Sequence, residues 1–114
     1  MLEPLLVAAG GAVGASARYA VGNALRTDAR LPVSTLAVNV VGSFVLGVVA
    51  FGASDTVLAL VGTGACGAFT TFSSFSYETV EALRDDTVAG AANATLNLVL
   101  SVAAVALAYL AVSV

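Results

Sequence analysis

Apolar, uncharged stretches dominate the chain and fall into four blocks separated by short charged punctuation. Residues 4–25 form the first, interrupted only by Arg18. Twenty-four uncharged residues separate Arg30 from Asp55, 22 separate Asp55 from Glu78, and the 28 residues after Asp86 carry no charge. A bilayer core about 30 Å thick is crossed by roughly 20 apolar residues of helix, so each block predicts a transmembrane helix. The expected helices lie at about 4–25, 32–52, 55–84 and 88–112, making residues 1–114 a single all-α membrane domain. Pro4 and Pro32 fall in first turns, where a missing amide hydrogen is no loss. Gly52 ends the second block, and Ser54 or Asp55 stands ready to cap the third.

The third block departs from the pattern. As one straight helix, 55–84 would extend about 45 Å at 1.5 Å per residue, longer than the hydrocarbon. Inside it, the run from Gly62 to Glu78 holds Gly62, Gly64 and Gly67, then Thr70, Thr71, Ser73, Ser74 and Ser76 interleaved with Phe69, Phe72 and Phe75. Backbone groups cannot stay unpaired in lipid, so such a run survives only buried in protein or lining a cavity. It predicts two half-helices, about 55–66 and 71–84, with a break near 67–71 at mid-membrane. Elsewhere Gly10, Gly14, Gly42 and Gly90 read as sites where helix backbones approach closely.

Composition narrows the function. At 60% hydrophobic and 10% charged residues, 114 positions leave no room for a separate water-soluble domain. The first block is led by Glu3 rather than by basic residues, so it reads as the first helix of the bundle and not as a cleaved leader. One cysteine, Cys66, and no histidine argue against a disulfide or a thiolate or imidazole metal site within a subunit. The missing histidine also removes the usual general base, which argues against an enzyme. Seven acidic residues face four arginines, and loops this short offer no nucleic-acid surface. Arg26, Arg30 and Arg84 fall on the side of the first and third loops, which the positive-inside rule places in the cytoplasm, with both termini outside.

Polar residues recur at helical spacing inside the blocks. Thr35, Asn39 and Ser43 share one face of the second helix, and Asn93, Asn97 and Ser101 share one face of the fourth. Thr70, Thr71, Ser73 and Ser74 surround Phe72 and Phe75. Such stripes are either interhelical glue or a permeation path. Amides and hydroxyls donate hydrogen bonds to an anion without bringing a fixed charge, and aromatic edges carry positive quadrupole. Carbonyls freed at the break, those of Gly67 and Thr70, suit a cation. Arg18 is either an interfacial anchor or a charge that draws anions into a vestibule. Glu78 is either a solvated terminal charge or a partner for Arg18.

Three motifs in chain order carry a resemblance. Gly10-Gly11-Ala12-Val13-Gly14-Ala15-Ser16-Ala17-Arg18-Tyr19, then Thr35-Leu36-Ala37-Val38-Asn39-Val40-Val41-Gly42-Ser43-Phe44, then the run from Gly67 to Glu78 resemble the CrcB/Fluc fluoride channels over essentially the whole chain. The resemblance implies a passive, fluoride-selective channel in the cell membrane that lets toxic fluoride leave. It implies an antiparallel dimer of four-helix subunits with two pores and one structural sodium ion at the interface. Carried over, Asn39, Phe72 and Phe75 line the pore, Thr71 and Ser74 add hydroxyls, and Asn97 and Ser101 form the polar track of the fourth helix. Gly67 and Thr70 supply backbone carbonyls to sodium, and Arg18 guards the vestibule. The one-sided arginine bias departs from the homodimeric pattern and points to pairing with an oppositely oriented paralogue as the alternative to a homodimer. Two other functions are weighed: a small proton-coupled multidrug exporter, which needs a mid-membrane carboxylate that the first helix lacks, and a non-transporting assembly subunit whose polar stripes only pack.

Overall fold

A computed structural model describes residues 2–25 and 32–114. Four helical stretches long and apolar enough to cross a membrane follow the four blocks: Leu2–Ala24, Val33–Gly52, Asp55–Asp85 and Thr87–Ser113. The third comprises two pieces, so the helices are α1 (Leu2–Ala24), α2 (Val33–Gly52), α3 (residues 55–69), α4 (Phe72–Asp85) and α5 (Thr87–Ser113). The chain is a multi-pass membrane protein, and its longest dimension, 46 Å, exceeds a hydrocarbon core of about 30 Å. Arg26 and Arg30 lie outside the described residues.

Local chemistry sets the ends. Pro32 immediately precedes α2, and Ala53 turns extended just after Gly52. The Ser54 hydroxyl accepts the Val57 N–H at 3.4 Å and caps α3, the choice between Ser54 and Asp55 thus falling on the serine. Asp86 caps α5 by accepting from the N–H groups of Val88 and Ala89.

The path of α3 departs from an ordinary helix. Leu58–Cys66 is wound as a π-helix, with the Gly67 N–H reaching back to the carbonyls of Gly62 and Gly64. Nine residues is long for this rare winding, which clusters at functional sites. Here α3 lies against α1 so closely that a Cβ on Gly10 would strike the Leu60 carbonyl, and one on Gly14 the Ala65 carbonyl. A Cβ on Gly64 would stand 2.8 Å from the Val7 carbonyl. The glycines therefore serve a backbone-to-backbone contact. The interruption comes after them. Gly67–Phe69 remains helical, and the extended residues are Thr70 (φ −80°, ψ 161°) and Thr71 (φ −149°, ψ 119°). Glycine run and interruption are thus separate features, where the sequence suggested a single one beginning at Gly67.

Elsewhere α2 packs along α5, with Gly47 against Val105 and Ala108 and Gly52 against Val112. Gly90 of α5 lies on Leu83 of α4. The buried apolar residues are mostly small (Val38, Val49, Ala59, Cys66, Ala104, Ala108), whereas Leu5, Val102 and Leu110 are exposed. Large apolar side chains outside and small ones between helices are what lipid selects, since packing rather than hydrophobicity joins helices there.

Candidate ion-conducting site

The site is built around Thr71. Its N–H, which a continuing helix would direct to the Gly67 carbonyl, instead donates to Asn39 Oδ1 at 2.8 Å. Asn39 Nδ2 donates in turn to the Thr71 carbonyl at 3.2 Å and to Asn97 Oδ1 at 3.1 Å. One side chain of α2 thereby satisfies both main-chain groups of an extended residue that lipid could not solvate. The two helix ends are closed locally. The Thr71 hydroxyl accepts the Ser74 N–H at 3.1 Å and caps α4. The Thr70 hydroxyl donates back to the Cys66 carbonyl at 2.9 Å.

Two cavities meet at this residue. One, of about 340 Å³, is lined by Phe72, Phe75, Asn39, Ser43, Asn97 and Ser101. The second, of about 420 Å³, is lined by Arg18, Ser34, Thr35, Ser74 and Glu78. Thr71 lines both. The pore residues expected from the sequence therefore divide between two chambers, with Thr35 and Ser74 on the Arg18 side. The phenylalanine rings stand 5.8 Å apart at an interplanar angle of 46°. Phe72 is 79% exposed.

In the larger cavity Arg18 Nη1 donates to the Ser74 hydroxyl at 3.4 Å. Glu78 Oε1 accepts from the Thr35 hydroxyl at 2.5 Å. Among the described residues no ion pair joins Glu78 to Arg18, although both line this cavity. The hydrogen bond of Glu78 to Thr35 was not foreseen, although Thr35 and Glu78 are the polar residues whose helices cross here. Arg84 pairs with Glu81 at 3.5 Å on the exposed face, the kind of contact that contributes little. Both amide hydrogens of Asn39 are engaged within the protein, so Asn39 walls the smaller cavity as a brace, beside the Ser43 and Ser101 side chains and the aromatic rings. Among the described residues no group of three His, Cys, Asp or Glu side chains is placed to hold a metal.

Both cavities lie within residues 5–109, the stretch matched by the family model for CrcB-like protein, Camphor Resistance (CrcB). The chain belongs to the CrcB family. It is 52% identical over 111 residues to fluoride-specific ion channel FluC 1 of Halobacterium salinarum, covering 96% of this chain and 92% of that protein. Identity to fluoride-specific ion channel FluC 2 of Haloarcula marismortui is 47% over 106 residues, 91% of this chain and 88% of that one. Fluoride-specific ion channel FluC 3 of Methanosarcina acetivorans is 39% identical over 108 residues, 93% and 97% of the two chains. These CrcB relatives are matched over nearly their whole lengths, so both chambers fall inside the shared region.

Proposed function

We propose that this CrcB protein is a passive fluoride channel in which the ion passes from the Arg18 cavity, by way of Thr71, to the cavity walled by Phe72 and Phe75. The names of its relatives point to a channel for fluoride rather than to an enzyme or a drug exporter. The observation that carries the route is the position of Thr71, common to two cavities that are otherwise differently lined. Arg18 supplies the attraction that concentrates a small anion at the mouth. Beyond it, among the described residues, no cationic side chain lines the smaller cavity. There the lost water shell is replaced by neutral hydroxyl donors and ring edges, which pass an ion on instead of trapping it.

The exposed Phe72 supports assembly with a second subunit, antiparallel as the family resemblance implies, whether a copy of this chain or an oppositely oriented paralogue. A sodium ion at that interface would be held by the carbonyls of Gly67 and Thr70. The residues fit it: the Thr71 N–H is diverted to Asn39, and a Cβ on the exposed Gly67 would meet nothing within 4 Å in its own subunit. When bound, the ion supplies a fixed positive charge that favours an anion nearby.

The test is fluoride release from liposomes carrying wild type, Phe75→Ile or Asn39→Asp. The aspartate loses both amide donors and sets carboxylate oxygen against the Thr71 carbonyl and Asn97 Oδ1. Unmatched buried groups of this kind cost about 1–3 kcal/mol each, so at about 1.4 kcal/mol per decade the flux should drop roughly ten- to hundredfold. Undiminished release from both variants would remove these residues from the route.

A further inference from the structure

Asn93 lines neither of the two cavities, yet it is 2% exposed in the second turn of an apolar helix. Its Nδ2 donates to the Thr79 hydroxyl at 2.7 Å, and its Oδ1 accepts from Asn97 Nδ2 at 3.2 Å. Joined to the bonds around the break, this makes one continuous chain. The Thr71 N–H donates to Asn39, Asn39 to Asn97, Asn97 to Asn93, and Asn93 to Thr79. Two main-chain groups fix its sense. The Thr71 N–H can only donate, and the Asn93 carbonyl, which takes a second bond from Asn97 Nδ2 at 2.9 Å, can only accept. Every amide therefore points the same way, an arrangement in which each bond polarises the next.

The chain leaves α4 at its cap, crosses α2 and α5, and returns to α4 at Thr79. Phe72 and Phe75 lie between these two attachment points. Besides Thr71, α4 is held to α2 by the Glu78–Thr35 bond, to α1 by the Arg18–Ser74 bond and to α5 by Leu83 on Gly90. With Thr79 also held, the rotation of α4, and so the stance of both rings, is set against α2 and α5. We propose that Asn93, together with Thr79, is a positioning pair that fixes how Phe72 and Phe75 face the passing ion. The inference rests on the fluoride-conducting reading and adds two residues that never touch the ion.

The experiment compares fluoride and chloride release from liposomes carrying wild type, Asn93→Leu, Thr79→Val and Thr79→Ser, each checked for helicity and a monodisperse assembly. Asn93→Leu and Thr79→Val should lose fluoride flux by roughly three- to tenfold, the scale of one interhelical bond in lipid, and should discriminate less against chloride. Thr79→Ser keeps the hydroxyl and should behave as wild type. A folding defect alone would lower the yield of active channels without changing selectivity. Wild-type flux and selectivity in Thr79→Val would overturn the inference, as would a Thr79→Ser variant impaired as much as Thr79→Val. If Asn93→Leu does not fold, the two Thr79 variants decide alone. Wild type that releases chloride as fast as fluoride would overturn the function itself, and this inference with it, whereas selective wild type beside an unaffected Thr79→Val removes only the positioning role.

Discussion

At Thr71 a hydroxyl residue has three jobs: its main chain is held by Asn39, its side chain caps α4, and its surface borders both cavities. Thr71→Val keeps the shape and removes the cap acceptor, a loss of about 1 kcal/mol from the helix start. It also puts a methyl where the anion would meet a hydroxyl. Fluoride release by this variant should fall steeply while Thr71→Ser retains most of it, measured per assembled channel. Thr35→Val should leave Glu78 Oε1 without its donor beside Arg18. The freed carboxylate then opposes anion entry, and release should slow at low external fluoride more than at saturation. The hydroxyls and amides of the site were legible because polar residues at four-residue spacing in apolar helices are conspicuous. Their partners were not. Nothing in the sequence shows that Asn39 directs both of its amide hydrogens inward, or that Glu78 meets Thr35 from 43 positions away.

The elements were more readable than their junctions. Each expected helix is present within a few residues, because charge gaps and proline or glycine ends mark boundaries that lipid enforces. What the sequence could not separate was the two uses of small and polar residues in the third block. Gly62 and Gly64 belong to a π-helix packed on α1, whereas the extended backbone belongs to Thr70 and Thr71. Glycine alone signals close approach and broken helix equally, and only the neighbour decides. The difference is testable. Gly14→Val drives a side chain into the Ala65 backbone and should destabilise the bundle by at least the 1–3 kcal/mol or so typical of overpacking, seen as a lower melting temperature in detergent. Gly22, where an added Cβ meets nothing within 4 Å, should accept alanine with no loss.

For the whole molecule, the core is thin and built mostly of small side chains, and Phe72 stands exposed on one face. If a second subunit covers that face, Gly67→Val, harmless within its own chain by its open surroundings, should weaken dimerisation in detergent, as read by cross-linking or mass photometry. In the proposed channel, neutral donors and ring edges at an interrupted helix replace the water around a small halide. The most direct test is a fluoride electrode reading on liposomes holding the purified wild-type chain alone, with a chloride electrode run in parallel. Rapid fluoride release with chloride retained is the predicted result; release of both ions at equal rates would contradict it.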